Sequence, residues 1–439
     1  MRLFDLLAIV LVLVAGLSYV NFRFLRLPTT IGLMALTLGL SVGVIVIGQV
    51  APGLESQAKA LVERLDFDEV LLHGMLGFLL FAGALHVNVN ELARWKTPIA
   101  VLATMGVLIS TVIIGGVLAF LLPLFGIPAR PIWCFVFGAL ISPTDPIAVL
   151  ALLKQLGAPK PLEIKIAGES LFNDGVGVVV FLGLLQIAAG EHGFDPGHLT
   201  ALFFKEAVGG AVFGLAAGWL TYRLLKSVDN YQVEVMLSLA LVAGGYALAE
   251  HWHLSAPIAM VVAGLLIGNH GRSFAMSPTT VEHLDLFWEL IDEILNAVLF
   301  VLIGLEVLIV TFSARYLLAG VAAIGIVLLA RLIAVAVPIS FLRRYRTFEP
   351  GTARILTWGG LRGGISVALA LALPATVGGE IVPEREVILV LTYTVVVFSI
   401  LVQGLTIGPL IRRWLAAAPH QMPTASTAAT AFPTNPTDG

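Results

Sequence analysis

Apolar residues fill this chain in runs of about twenty, the length needed to cross the hydrocarbon of a bilayer as a helix. The short stretches between the runs carry most of the charge. The runs place spans at 4–20, 27–48, 67–87, 97–122, 131–154, 166–189, 201–225, 231–250, 254–270, 286–308, 315–342, 352–375 and 386–411. The pattern predicts an all-α polytopic membrane protein of about 13 transmembrane helices. Two runs contain residues that a continuous helix does not accommodate. Span five holds Ile141-Ser142-Pro143-Thr144-Asp145-Pro146, with two prolines three apart. Span twelve holds Trp358-Gly359-Gly360-Leu361-Arg362-Gly363-Gly364-Ile365-Ser366, four glycines around an arginine. Both should unwind near mid-span. Being seven spans apart, they run in opposite directions, as inverted repeats with two crossing broken helices require.

Composition strengthens this picture. Of 439 residues, 58% are hydrophobic and only 12% charged, about half the charged share of a soluble domain. The net charge of -3 argues against a nucleic-acid partner, and 44 glycines suit close helix packing in lipid. Cys134 is the sole cysteine, which excludes an internal disulfide or a cysteine metal cluster and reads as a small buried hydrophobe. The apolar run after Arg2 imitates a signal peptide, but it is long and other spans follow at once, so it reads as a retained span. Loops after odd-numbered spans hold fifteen Lys and Arg, and the opposite side holds six. The N-terminus is therefore expected outside and the C-terminus in the cytoplasm. Residues 1–415 form the expected membrane domain. The segment 416–439, rich in Ala, Thr and Pro, is expected to be a disordered tail.

The chemistry centres on Gly168-Glu169-Ser170-Leu171-Phe172-Asn173-Asp174-Gly175 in span six. Carboxylates at membrane depth cost several kcal/mol unless they face a partner or a water-filled cavity, so they mark candidate sites. At helical spacing Ser170 and Asp174 share one stripe, and Glu169 and Asn173 share the next. In span five, Pro143 and Pro146 free the carbonyls of Ala139 and Ser142. Thr144 adds a hydroxyl, so oxygens suited to a hard cation gather beside Asp145. Asp145 can equally cap the half-helix that follows. Arg362 can offset negative half-helix ends or pair with Glu169, and a structural role suits a permanent cation better than contact with a cationic substrate. Asp174 is then the carboxylate without a fixed cationic partner, able to hold either a proton or a small cation. Glu289, Asp292 and Glu293 read as an acidic helix start or cavity entrance, Asn296 as a packing or network residue, and Arg331 as a partner for an acid or a backbone carbonyl. His251 and His253 suggest no metal site.

Ile141 to Ala148, Gly168 to Val179, Phe287 to Leu305 and Gly359 to Ser366 together resemble the sodium/proton antiporters of the NhaP/NHE type, and the resemblance covers nearly the whole chain. It implies a homodimer with an elevator-like core around spans five, six and twelve moving against a dimerisation domain. It further implies that Asp174 alternates between proton and cation, that Ser170, Thr144 and Asp145 help bind the cation (Asp174, Ser170 and Thr144 as the Na+ ligands), and that Glu169, Asn173 and Arg362 form the adjoining polar network. Exchange of Na+ or Li+ for H+ follows, with no cofactor, in a bacterial inner membrane and in the service of pH homeostasis. The Asn173-Asp174 pair goes with electroneutral exchange in such proteins. Many relatives carry Phe-Glu-Gly-Ala-Leu in span three, where this chain reads Phe81-Ala82-Gly83-Ala84-Leu85; the missing glutamate leaves ion choice and pH response open. His86 offers a pH sensor there, or an ordinary interfacial residue. Rival readings are K+/H+ exchange on the same scaffold and an intramembrane aspartyl protease built on Asp145 and Asp174. The protease reading lacks its Gly-x-Gly-Asp signature, and an enzyme is not expected.

Overall fold

The structure is a computed structural model that describes residues 3–65, 67–190, 196–310, 313–345, 348 and 351–417. The tail expected from 416 onward lies almost wholly outside the described residues. All thirteen predicted spans fall on helix. Eight stretches are long and apolar enough to cross a membrane: Asp5–Leu25, Thr29–Gly48, Lys96–Leu124, Lys160–Ala188, Phe204–Leu225, Tyr231–His251, Ala314–Leu342 and Glu384–Trp414. They make the chain an integral membrane protein.

The other five spans depart from a plain helix for readable reasons. Spans three and nine change pitch, each through a π-turn, at Val70–Met75 and Ile267–Gly271. Span ten, Pro278–Glu306, starts well before residue 286 because Ser277 Oγ accepts the Thr280 N–H (3.3 Å) and Pro278 suits the first turn. Its first half is too acidic to read as apolar. Spans five and twelve are broken as predicted, into Pro131–Leu140 and Ile147–Gln155, and into Thr352–Trp358 and Gly364–Leu371.

Two short helices were too polar for a twenty-residue apolar window to reveal. Pro52–Val62 carries a Glu55–Lys59 ion pair at 2.7 Å. Val89–Arg94 is capped by the Asn88 side chain, which accepts from Asn90 N–H at 2.9 Å. After span twelve, Thr376–Val377 pairs antiparallel with Glu380–Ile381. Its turn is Gly378-Gly379, with φ of +59° and +86°, a conformation side-chain-bearing residues resist.

The helices sort by packing into two sets. Spans four, five, six, eleven, twelve and thirteen lie against one another, with the long helices Lys96–Leu124 and Ala314–Leu342 at their centre. Spans three, seven, eight and nine form another set, to which spans ten, two and one attach in turn. Both broken helices belong to the first set. The seam between the sets is apolar and close: Ile31 of span two lies against Gly404, and Leu299 of span ten against Gly364.

Candidate functional site

The two unwound segments meet where the sequence places the polar residues. Asp145 N–H donates to the Leu361 carbonyl at 2.8 Å, an antiparallel bridge that joins the breaks. Free backbone groups are costly at membrane depth, and neighbouring helices satisfy several here. A π-turn of span thirteen, Ser399–Gln403, presents two side chains one turn apart. Ser399 Oγ accepts the Arg362 N–H (2.8 Å), and Gln403 Nε2 donates to the Trp358 carbonyl (2.9 Å). Nothing in the apolar pattern signals this support, because a polar residue every fourth position in a span reads equally as packing.

Breaking two helices creates four half-helix ends with partial charges. Each negative end receives an arginine. Arg362 Nη1 donates to the Ser142 carbonyl and, at 2.9 Å, to the Pro143 carbonyl at the end of Pro131–Leu140. Arg331 of span eleven donates through Nε (3.3 Å) and Nη2 (3.2 Å) to the Leu356 carbonyl, near the end of Thr352–Trp358. The positive ends share Asp145. Its Oδ1 accepts the Ile147 N–H at 3.0 Å, capping Ile147–Gln155. Its Oδ2 lies against Gly363, where a Cβ would stand only 2.6 Å away. A glycine is needed at 363 for the carboxylate to reach the start of Gly364–Leu371.

Glu169 does not pair with Arg362. Its carboxylate binds Arg331 through both oxygens, with Nη2 to Oε2 at 2.9 Å and a second, shorter contact from Nη1 to Oε1. The stripe geometry explains the outcome, since Glu169 and Ser170 leave the helix about 100° apart and Ser170 is the one that turns to span five. Arg331 thus satisfies both roles expected of it, as the partner of an acid and of a backbone carbonyl. Glu169, Asn173 and Arg362 take different hydrogen-bond partners: Asn173 and Arg362 meet neighbouring residues of the break in span five, while Glu169, held by Arg331, stays within electrostatic range of Arg362.

Thr144 is held from span six by one residue of each stripe. Ser170 Oγ donates to the Thr144 carbonyl, and Asn173 Nδ2 donates to Thr144 Oγ1 at 2.9 Å. The Thr144 N–H points at Asn173 Oδ1 at 3.5 Å. The proline-freed carbonyls contribute less than the sequence suggests. That of Ser142 is taken by Arg362, and that of Ala139 accepts the Ser142 N–H at 3.2 Å. The oxygens left facing the crossing are therefore mainly side-chain oxygens.

Asp174 completes the site. It is buried, lies within electrostatic range of Asp145, and has no hydrogen bond or ion pair to its carboxylate among the described residues. His86 is placed elsewhere. Its Nδ1 donates to the Ala82 carbonyl (2.9 Å), and its Nε2 lies 3.9 Å from Asp285, which is held by Arg272. Ala82 is buried among apolar residues with Phe81 and Trp288.

Two antiparallel broken helices crossing beside membrane-buried carboxylates define a secondary transporter. The chain belongs to the sodium/hydrogen exchanger family: the transmembrane model of that family matches residues 9–413. It is 54% identical over 423 residues to the Na(+)/H(+) antiporter NhaP of Pseudomonas aeruginosa, covering 94% of this chain and 98% of that protein. It is 36% identical over 367 residues to the Na(+)/H(+) antiporter NhaH of Halobacillus dabanensis, covering 82% of this chain and 87% of the relative. Among solved structures, the sodium proton antiporter MjNhaP1 of Methanocaldococcus jannaschii aligns with a TM-score of 0.73 over 94% of this chain and all of that one. At 20% identity, this likeness bears on the fold. The family is one of transporters, so the hydrolytic reading of Asp145 and Asp174 falls.

Proposed function

We propose that this protein exchanges Na+ or Li+ for H+ by alternating access, with Asp174 binding either the proton or the cation. The carrying observation is the distribution of charge at the crossing. Arg331 is neutralised by Glu169, and Arg362 and Asp145 each answer half-helix ends. Asp174 is the charge left over, so one positive partner, H+ or Na+, balances the site. A lone buried carboxylate is unfavourable in a low dielectric, which opposes movement of the empty carrier and couples the two fluxes.

In this reading the cation approaches Asp174 while the site faces one side and displaces its proton. Thr144 Oγ1, Ser170 Oγ and Asp145 supply further oxygens directly or through water. The set of spans four to six and eleven to thirteen then shifts against the remaining helices, and protonation on the far side releases the cation. One charge for one charge makes the cycle electroneutral. The protein works as a homodimer in a bacterial inner membrane, with its N-terminus outside and C-terminus in the cytoplasm, and His86 tunes its response to pH. No cofactor takes part.

The test is purified protein in liposomes with an internal pH dye, challenged with sodium, lithium and potassium gradients, wild type beside Asp174→Asn. Sodium or lithium should drive protons the opposite way, and the variant should be silent while melting normally in detergent. Exchange driven by potassium alone would replace the ion assignment, and full exchange by a folded Asp174→Asn would sink the site assignment.

A further inference from the structure

We propose that Asp292 and Asn296 of span ten form a second monovalent-cation site, a capture site beside the crossing that passes the cation to Asp145 and Asp174. The inference rests on the exchange reading above and extends it to a helix of the other packing set. Span ten reaches the crossing directly. Its Leu299 packs against Gly364, the first residue of the second half-helix of span twelve, where a Cβ would come within 2.7 Å of Leu299 Cδ2. Asn296 lies one turn before Leu299, and Asp292 one turn before Asn296, so both sit beside the crossing. Asp292 is within electrostatic range of Asp145, although the two belong to different packing sets.

The polar groups along this face grade inward. Glu289 and Glu293 are exposed, Asp292 is half-buried, and Asn296 is only 3% exposed. The Asn296 side chain has one defined orientation. Its Nδ2 donates to the Asp292 backbone carbonyl at 2.8 Å, and a carbonyl can only accept, so the amide nitrogen must point there. Its Oδ1 is thereby turned away from the helix. That oxygen is buried with no hydrogen-bond partner among the described residues.

A buried acceptor left unpaired costs free energy that a cation would recover. A carboxylate and an amide oxygen are hard oxygen donors of the kind an alkali cation prefers. No arginine or lysine is paired with Asp292 among the described residues, unlike Glu169 with Arg331 and Asp285 with Arg272. The exposed Glu289 and Glu293 extend the negative field outward, which raises the local cation concentration at the entrance. Span three adds no charge on the stripe it shares with span ten, because Phe81 meets Trp288 there and the next residue is Ala82.

The experiment measures apparent KM for Na+ separately from each face, using right-side-out and everted membrane vesicles. Asp292→Asn should raise KM about tenfold when sodium is offered on the face that carries residues 278–285, with KM from the other face and the rate at saturating sodium retained. Asp292→Glu should restore the wild-type value, and Asn296→Ala should shift KM in the same sense. Equal KM from both faces in Asp292→Asn, or a fall in maximal rate with KM unmoved, would overturn the proposal in favour of a packing role. Should Asp292→Asn melt early, the Asp292→Glu and Asn296→Ala pair carries the same decision. Absence of exchange in the wild-type vesicles would strike the exchange reading itself, so the two failures are distinguishable.

Discussion

Arg362, from the unwound segment of span twelve, reaches across the crossing to the Pro143 carbonyl at 2.9 Å and to the neighbouring Ser142 carbonyl. This contact ties one broken helix to the negative end of the other, and it is fully buried. Arg362→Ala would leave two carbonyls without a donor at membrane depth, a loss of several kcal/mol. Arg362→Ala should therefore lower the melting temperature in detergent and the yield, and the residual folded protein should keep its apparent sodium affinity. Arg362→Lys, which restores the charge but not the reach and planar geometry of Nη1, should recover part of the loss. A variant with normal melting but altered affinity would make Arg362 a cation-site residue instead.

The Glu169–Arg331 pair makes a sharper thermodynamic prediction. Removing one partner of a buried ion pair leaves an uncompensated charge and costs about 3–5 kcal/mol, whereas removing both costs far less. Glu169→Gln and Arg331→Gln should each destabilise strongly. The double variant should lie much closer to wild type than the sum of the two. A double-mutant cycle on thermal stability measures the coupling directly, and additive losses would show that the pair is not coupled.

How the pair is assembled shows where reading the sequence stops. Two prolines at 143 and 146 and four glycines around Arg362 betray both breaks, because their effect on a helix is local. Span boundaries follow from apolar length alone. Partner choice is different in kind. Glu169 had two arginines available, and only the rotation of span six relative to span eleven decides between Arg331 and Arg362. The support from Ser399 and Gln403 depends on a π-turn that no local pattern announces. Asp292 looks like an acidic helix start until Leu299 is seen against Gly364.

Thr144 separates a backbone contact from a side-chain one. Ser170 holds its carbonyl, which any residue at 144 retains, while Asn173 holds its hydroxyl. Thr144→Val keeps the shape and deletes only the hydroxyl. It should raise the apparent KM for sodium roughly tenfold, since a buried polar partner lost is worth about 1–3 kcal/mol, and it should leave the fold intact. Asn173→Ala should weaken affinity and stability together, because it frees both the Thr144 hydroxyl and the Thr144 N–H and leaves only the carbonyl held by Ser170. Sodium-dependent proton flux and thermal melting on both variants decide the order.

Charge balance at the crossing predicts no net current. With one negative charge on Asp174 to be balanced and only the loaded carrier crossing, each half-cycle carries one positive ion. A voltage-sensitive dye in the same liposomes should report no potential during sodium-driven proton movement, and imposing a potential with valinomycin and potassium should leave the rate unchanged. A voltage that builds during exchange would mean that a second carboxylate, Asp145 being the nearest, also cycles its proton.

The competition at Asp174 fixes the sign of the pH response. Proton and cation exclude each other at one carboxylate, so lowering pH fills Asp174 with protons and raises the sodium concentration needed to displace them. Apparent KM for sodium should therefore climb as pH falls, by up to about tenfold per pH unit once the protonated form dominates, and should level off at high pH where the carboxylate is already free. The maximal rate at saturating sodium should change far less across the same range, because enough cation restores the loaded state at any pH. Measuring proton flux against sodium concentration at a series of pH values separates the two quantities. A KM that stays flat while the maximal rate collapses in acid would place the pH control outside the cation site, with His86 beside Asp285 the first residue to substitute.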